Sequence, residues 1–204
     1  MSGPSTGPST GPGTGPGTGP GTAPGTGPGT EAPGTGPETA APGTAPGEVL
    51  AALVAAGATV AVAESLTGGL LTAALTEPAG ASKAVRGGLV VYATELKAVL
   101  AGVPVPLLDA EGPVSPDVAA ALAAGARDRL GATYGLGVTG VAGPEPQGGR
   151  PVGTVYVGLA GPGHGAVRQL ALSGDRAAIR AAAVDAALEL LLSVLRDGVA
   201  EFPA

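Results

Sequence analysis

The chain has 204 residues, a formal net charge of −6, no Cys, no Trp, one His and only one Phe and three Tyr. The absence of Cys excludes disulfides, a thiolate nucleophile and cysteine-ligated zinc, and a single His leaves too few imidazoles for a histidine-based metal site. An acidic balance without a Lys/Arg cluster argues against direct nucleic-acid binding, which needs a basic face opposite the phosphates.

Residues 1–46 repeat Gly-Pro-Gly-Thr and carry only Glu31 and Glu38 as charges. With almost nothing apolar to bury, such a segment cannot offset the roughly 1–2 kcal/mol per residue that ordering a backbone costs, so a disordered tail is expected. The period of four also rules out collagen, which needs Gly at every third position. Residues 47–204 form the second unit, enough for one domain with an aliphatic core. No basic-then-apolar leader and no apolar run of about 18 residues is present, so the expectation is a cytoplasmic protein with no membrane contact.

Along that unit, Val49 to Ala56 reads as a helix stopped by Gly57, and Thr59 to Ala63 as a buried strand. Leu70 to Thr76 reads as helix, Leu89 to Tyr92 as strand, and Leu96 to Leu100 as helix again. Ser115-Pro116-Asp117 places a capping hydroxyl, an N-terminal Pro and an acid at the start of a helix running to Leu130, with Gly131 as its stop. Tyr134 to Thr139 is the third strand. Thr154 to Leu159 and Val167 to Leu172 form an adjacent pair joined by the turn Gly161 to Gly165, and a long helix runs from Gly174-Asp175 to about Leu195. Strands alternating with helices, then two strands without a helix between them, give a three-layer α/β/α domain with a mixed sheet.

Three segments carry polar chemistry, and each follows a strand. Glu64-Ser65-Leu66-Thr67-Gly68-Gly69 puts a hydroxyl at a strand exit and a Gly-rich turn before a helix, where N–H groups can hold an anion or simply be capped. Tyr92 at a strand end and Lys97 on the next helix could share a cleft, or be a half-buried phenol and a surface amine. Thr139-Gly140-Val141-Ala142-Gly143-Pro144 is the third. Ligands of open α/β sheets bind beyond the carboxyl ends of strands, where all three segments fall. Gly135-Leu-Gly137-Val-Thr-Gly140 matches the dinucleotide fingerprint letter for letter, but no helix can start promptly after it and no acid follows at the ribose position, so it is set aside. His164, in a Gly-Pro-Gly turn, reads as a solvated surface group.

The blocks AESLTGGLL (63–71), GGLVVYATELKAVLAGV (87–103), VSPDVAAALAAGAR (114–127), GVTGVAGP (137–144), PVGTVYVGLA (151–160) and SGDR (173–176) resemble the CinA C-terminal domain family in order and spacing. The resemblance covers essentially the whole folded part and not the tail. It implies hydrolysis of the carboxamide of nicotinamide mononucleotide to nicotinic acid mononucleotide and ammonia, with no cofactor and no metal; the Ala- and Leu-rich C-terminal helix, for its part, leads to the expectation of an oligomer of identical chains, a homodimer or larger. The resemblance further implies Ser65 as nucleophile, Lys97 as the acceptor of its proton and Tyr92 as relay or positioner. Substrate contacts would come from Glu64, Thr67, Gly68, Gly69, Thr139, Gly140 and Gly143, with backbone N–H groups of residues 67–69 as the oxyanion site; Arg150 is assigned to the phosphate from charge and loop position alone. Two positions depart from the family pattern: Leu66 stands where Cys is common and Thr94 where Asn is. Two other readings remain open: a non-catalytic partner or nucleotide-binding protein associated with competence and DNA damage, and a general α/β nucleotide-binding module whose tail is the working part.

Overall fold

The computed structural model describes residues 45–199; the tail expected over residues 1–46 lies almost wholly outside them. The described chain runs α1 (Ala45–Ala55), β1 (Val60–Glu64), α2 (Leu70–Thr76), a 3-10 turn (Ala81–Lys83), β2 (Val85–Val90), α3 (Thr94–Val99), α4 (Val105–Glu111), α5 (Pro116–Leu130), β3 (Tyr134–Gly140), β4 (Thr154–Gly161), β5 (His164–Ala171) and α6 (Arg176–Val199). The five strands form one sheet in the order β2-β1-β3-β4-β5. β1 pairs parallel with both β2 and β3, whereas β4 is antiparallel to both its neighbours. The sheet is therefore mixed, as the two late strands suggest.

Side-chain alternation along β1 divides the core. Val60 and Val62 join Leu136 and Val138 of β3 under α1, α2 and α6, while Ala61 and Ala63 face the other layer with Val118, Leu122 and Ala126 of α5. The α5 side is built from small residues so that the helix lies flush on the sheet. A Cβ added at Gly135 would come within 2.0 Å of Ala123 O, and one at Gly137 within 2.4 Å of Ala119 O. Those contacts explain the Gly-x-Gly of the apparent dinucleotide fingerprint: the glycines admit a helix backbone.

Local signals in the sequence account for α5. Ser115 caps it by accepting from Val118 N–H, Pro116 opens it, and Gly131 closes it in the left-handed region at φ 61°. Three expectations need correction. β2 begins at Val85 and ends at Val90, so Tyr92 lies two residues beyond the strand instead of ending it. His164 is the first residue of β5, not part of the turn. The short helix α4, with a Pro in its first turn, was not foreseen. Among the described residues, no helix is long and apolar enough to cross a membrane.

Candidate functional site

β1, β2 and β3 run in the same direction, so their carboxyl ends share one edge of the sheet. β1 sits between β2 and β3, which makes the gap between β1 and β3 a topological switch point. A cleft with a cavity of about 150 Å³ opens at this edge, lined among others by Ser65, Tyr92, Lys97, Thr139, Gly140 and Gly143.

The Lys97 amine lies 3.0 Å from Ser65 Oγ and 3.0 Å from the Val91 carbonyl, with the Tyr92 carbonyl at 3.5 Å. It reaches inward from α3, the helix that follows β2, and is 1% exposed. Burial lowers its pKa from 10.5 to about 8, and the Glu95 carboxylate partly opposes that shift. While protonated, the amine donates to Ser65 Oγ; once neutral, its lone pair can accept the Ser65 proton over the same distance. A buried amine and a nearly buried hydroxyl from two separate segments thus form a nucleophile–base pair without an intervening group.

The Tyr92 phenol lies elsewhere. It is 61% exposed, at the rim of the cleft, and its oxygen accepts from Arg176 Nη2 at 3.2 Å. Arg176 Nη1 donates to the Gly143 carbonyl at 2.7 Å, tying the first residue of α6 to the loop after β3. Thr139 lines the cleft while its hydroxyl donates to the Pro113 carbonyl at 2.6 Å, holding the end of β3 to the segment before α5.

Five residues expected to touch substrate do not line the cleft. Glu64 is fully buried, and its carboxylate accepts from the N–H groups of Gly69, Leu71 and Thr72 and from the Thr72 hydroxyl. It caps α2 from below, so its role in the fold is to satisfy a helix start. Thr67 is fully buried. The Gly69 N–H is bonded to Glu64 and the Gly68 N–H to the Ser65 carbonyl, so neither is available to an oxyanion. Arg150 stacks over the Tyr156 ring with its guanidinium carbon 6.0 Å from the ring centre. Arg176, not Arg150, lines the cleft. The signal was present in Ser173-Gly174-Asp175-Arg176, a loop that opens a helix after a strand. Thr94, Glu145 and Gln147 also line the cleft, and so does Leu66, so both departures from the family pattern fall on its wall.

Residues 44–195 match the family model of the CinA C-terminal domain. The chain belongs to this family. A CinA-like protein of Frankia casuarinae is 58% identical over 149 residues, which cover 73% of this chain and 34% of that protein. The chain therefore spans about a third of the length of such relatives. Among solved structures, a Competence-Damaged Protein (CinA) superfamily protein from Klebsiella pneumoniae superposes with a TM-score of 0.73 at 30% identity, covering 75% of this chain and 96% of that one. The competence/damage inducible protein CihA from Agrobacterium tumefaciens gives 0.71 at 34% identity, covering 75% and 96%.

Proposed function

We propose that this CinA-family domain is a metal-independent amidohydrolase that cleaves the carboxamide of nicotinamide mononucleotide. The observation that carries the reading is the 3.0 Å contact between Lys97 Nζ and Ser65 Oγ, with an amine whose pKa has fallen to about 8. Ser65 Oγ attacks the carboxamide carbon as neutral Lys97 accepts its proton. The C–N bond then breaks, and Lys97 returns that proton to the departing nitrogen, releasing ammonia. Water, deprotonated in turn by Lys97, attacks the acyl ester and frees the carboxylate and Ser65. Because amine and hydroxyl are bonded directly, no phenol relay is required, and Tyr92 becomes a wall of the entrance held by Arg176.

The size of the cleft supports this class of substrate. About 150 Å³ is the volume of a cavity that holds a single six-membered ring, so the pyridine carboxamide enters while the ribose phosphate stays at the mouth. Arg176, exposed at that mouth, is the cation suited to the phosphate. The test is release of ammonia from nicotinamide mononucleotide by the purified chain after chelation of metals, compared with Ser65→Ala. Turnover that persists in Ser65→Ala removes the proposed nucleophile. No turnover by the unaltered chain, with retained nucleotide binding, favours the non-catalytic alternative.

A further inference from the structure

Ser65 occupies the first position of a tight turn closed by the Gly68 N–H donating to the Ser65 carbonyl at 3.1 Å. The carbonyls of the next two residues are both held by one side chain from α6, more than 110 residues further along the chain. Arg180 Nε donates to Leu66 O at 3.0 Å, and Arg180 Nη2 donates to Thr67 O at 2.7 Å. Arg180 lies one helical turn beyond Arg176 on α6, so the two guanidiniums leave the same face of the helix. One reaches the cleft; the other grips the turn that carries the nucleophile.

The direction of these bonds has a chemical consequence. In a planar trans peptide the C=O and N–H point opposite ways. With the Leu66 carbonyl drawn toward Arg180, the Thr67 N–H of the same peptide is directed away from α6. With the Ser65 carbonyl drawn toward the Gly68 N–H, the Leu66 N–H is likewise turned outward from the closed turn. The Gly68 and Gly69 N–H groups are bonded within the protein, whereas those of Leu66 and Thr67 have no partner among the described residues. The Thr67 hydroxyl beside them is buried and also unpartnered.

We propose that Arg180 is a positioning residue for the hydrolysis. By holding the Leu66 and Thr67 carbonyls it fixes the turn that leaves the Leu66 N–H, on the cleft wall next to Ser65, as the donor where the carboxamide oxygen becomes an oxyanion. This rests on the reading of Ser65 as a nucleophile, but not on the identity of the amide. Arg180 contacts no reacting atom. Its fork spans two carbonyls, and an ammonium, a single point charge, cannot reproduce that arrangement.

The experiment uses two readouts on the same 204-residue chain: ammonia release from nicotinamide mononucleotide, and labelling of Ser65 by phenylmethanesulfonyl fluoride. In the labelling reaction the Ser65 oxygen forms a bond to sulfur, fluoride leaves, and Lys97 takes the proton, so it reports the nucleophile and its surroundings without the nucleotide. For Arg180→Met we expect kcat to fall about 100-fold with KM nearly unchanged, because loss of an oxyanion donor costs about 10²- to 10³-fold in kcat. We expect the labelling rate to fall with it, and added guanidinium ion at millimolar concentration to restore part of both. Arg180→Lys, which keeps the charge and so guards against a variant that does not fold, is expected to lose about tenfold. Unchanged kcat and labelling rate in either folded variant overturns the proposal, as does a loss confined to KM or to melting temperature. If the unaltered chain is labelled at Ser65 but releases no ammonia, the choice of substrate fails and the labelling arm alone decides the role of Arg180.

Discussion

Lys97 Nζ and Ser65 Oγ meet at 3.0 Å from positions 32 residues apart, where α3, the helix after β2, sends one side chain inward to the residue that follows β1. The amine is the only charged group at that depth in the cleft, since Glu64, the other buried charge among the described residues, faces the opposite layer. The pair predicts its own genetics. Ser65→Ala and Lys97→Met each lower ammonia release by about 10³-fold or more, and the double variant loses little beyond either single one, because nucleophile and base act as a unit. Full additivity in the double variant would argue against a shared step.

The pH dependence follows from the lowered amine. The proposed base must be neutral, and with a pKa of about 8 roughly one molecule in ten is neutral at pH 7. kcat/KM should therefore rise about tenfold from pH 7 to a plateau above pH 9. Glu95, exposed and acting to raise the pKa, gives a second handle. Glu95→Gln should move the midpoint of the profile to lower pH, by a small step because solvent screens the charge. A profile that falls with rising pH would assign the essential amine the opposite role.

Stability carries the same signature with its own sign. Between about pH 8 and 10.5 the unfolded chain holds the Lys97 proton while the folded chain has released it, so unfolding free energy increases with pH through that window. Below pH 8 the buried ammonium costs about 3 kcal/mol relative to the unfolded chain, and this penalty disappears as pH reaches 10.5. Denaturant titrations of the unaltered chain and Lys97→Met at pH 7 and pH 10.5 should differ by about that amount in the pH-dependent part. Identical pH dependence in the two proteins would mean that the amine is solvated.

Glu64 illustrates how a residue can sit in a functional motif and serve the fold. Its carboxylate accepts four hydrogen bonds from the first turn of α2 and the Thr72 hydroxyl. Glu64→Gln turns one acceptor oxygen into a donor that faces other donors, and buried donors without acceptors cost about 1–3 kcal/mol each. The variant should unfold about 2–4 kcal/mol more easily in denaturant, with activity lost in proportion to the unfolded fraction at the assay temperature.

The parts of this structure that were legible from sequence are those with local causes. The Ser115 cap, Pro116 and Gly131 mark α5 within one turn at either end, and Ser65, Tyr92 and Lys97 were recognisable by type and by their place after strands. What escaped has non-local causes. Arg180 meets Leu66 and Thr67 across 114 and 113 residues, and nothing near it in the chain distinguishes it from a solvated helix arginine. Gly135 and Gly137 spelled a nucleotide motif because a close helix and a close phosphate both demand a missing Cβ. α4 has Pro104 at its N-cap and Pro106 in its first turn, where a Pro is tolerated. The phosphate assignment went to Arg150 because charge and loop position were its sole guides, and in the fold that guanidinium is stacked on Tyr156.

Arg176 offers the sharpest test of how substrate is oriented. Its guanidinium bridges the Gly143 carbonyl and the Tyr92 phenol at the mouth of the cleft, and the residue is exposed, which makes it the candidate contact for a phosphate. A charge-assisted contact of this kind is worth about 1.5–3 kcal/mol, or roughly 10- to 100-fold in binding. Arg176→Gln should therefore raise KM for nicotinamide mononucleotide by that factor while changing KM for nicotinamide riboside, which lacks the phosphate, by less than about twofold. The ratio of the two KM values isolates the phosphate contact from any general loosening of the loop after β3, because loosening would affect both substrates alike. Equal increases for nucleotide and riboside would relocate the phosphate away from α6 and leave Arg176 as a tie between Tyr92 and Gly143.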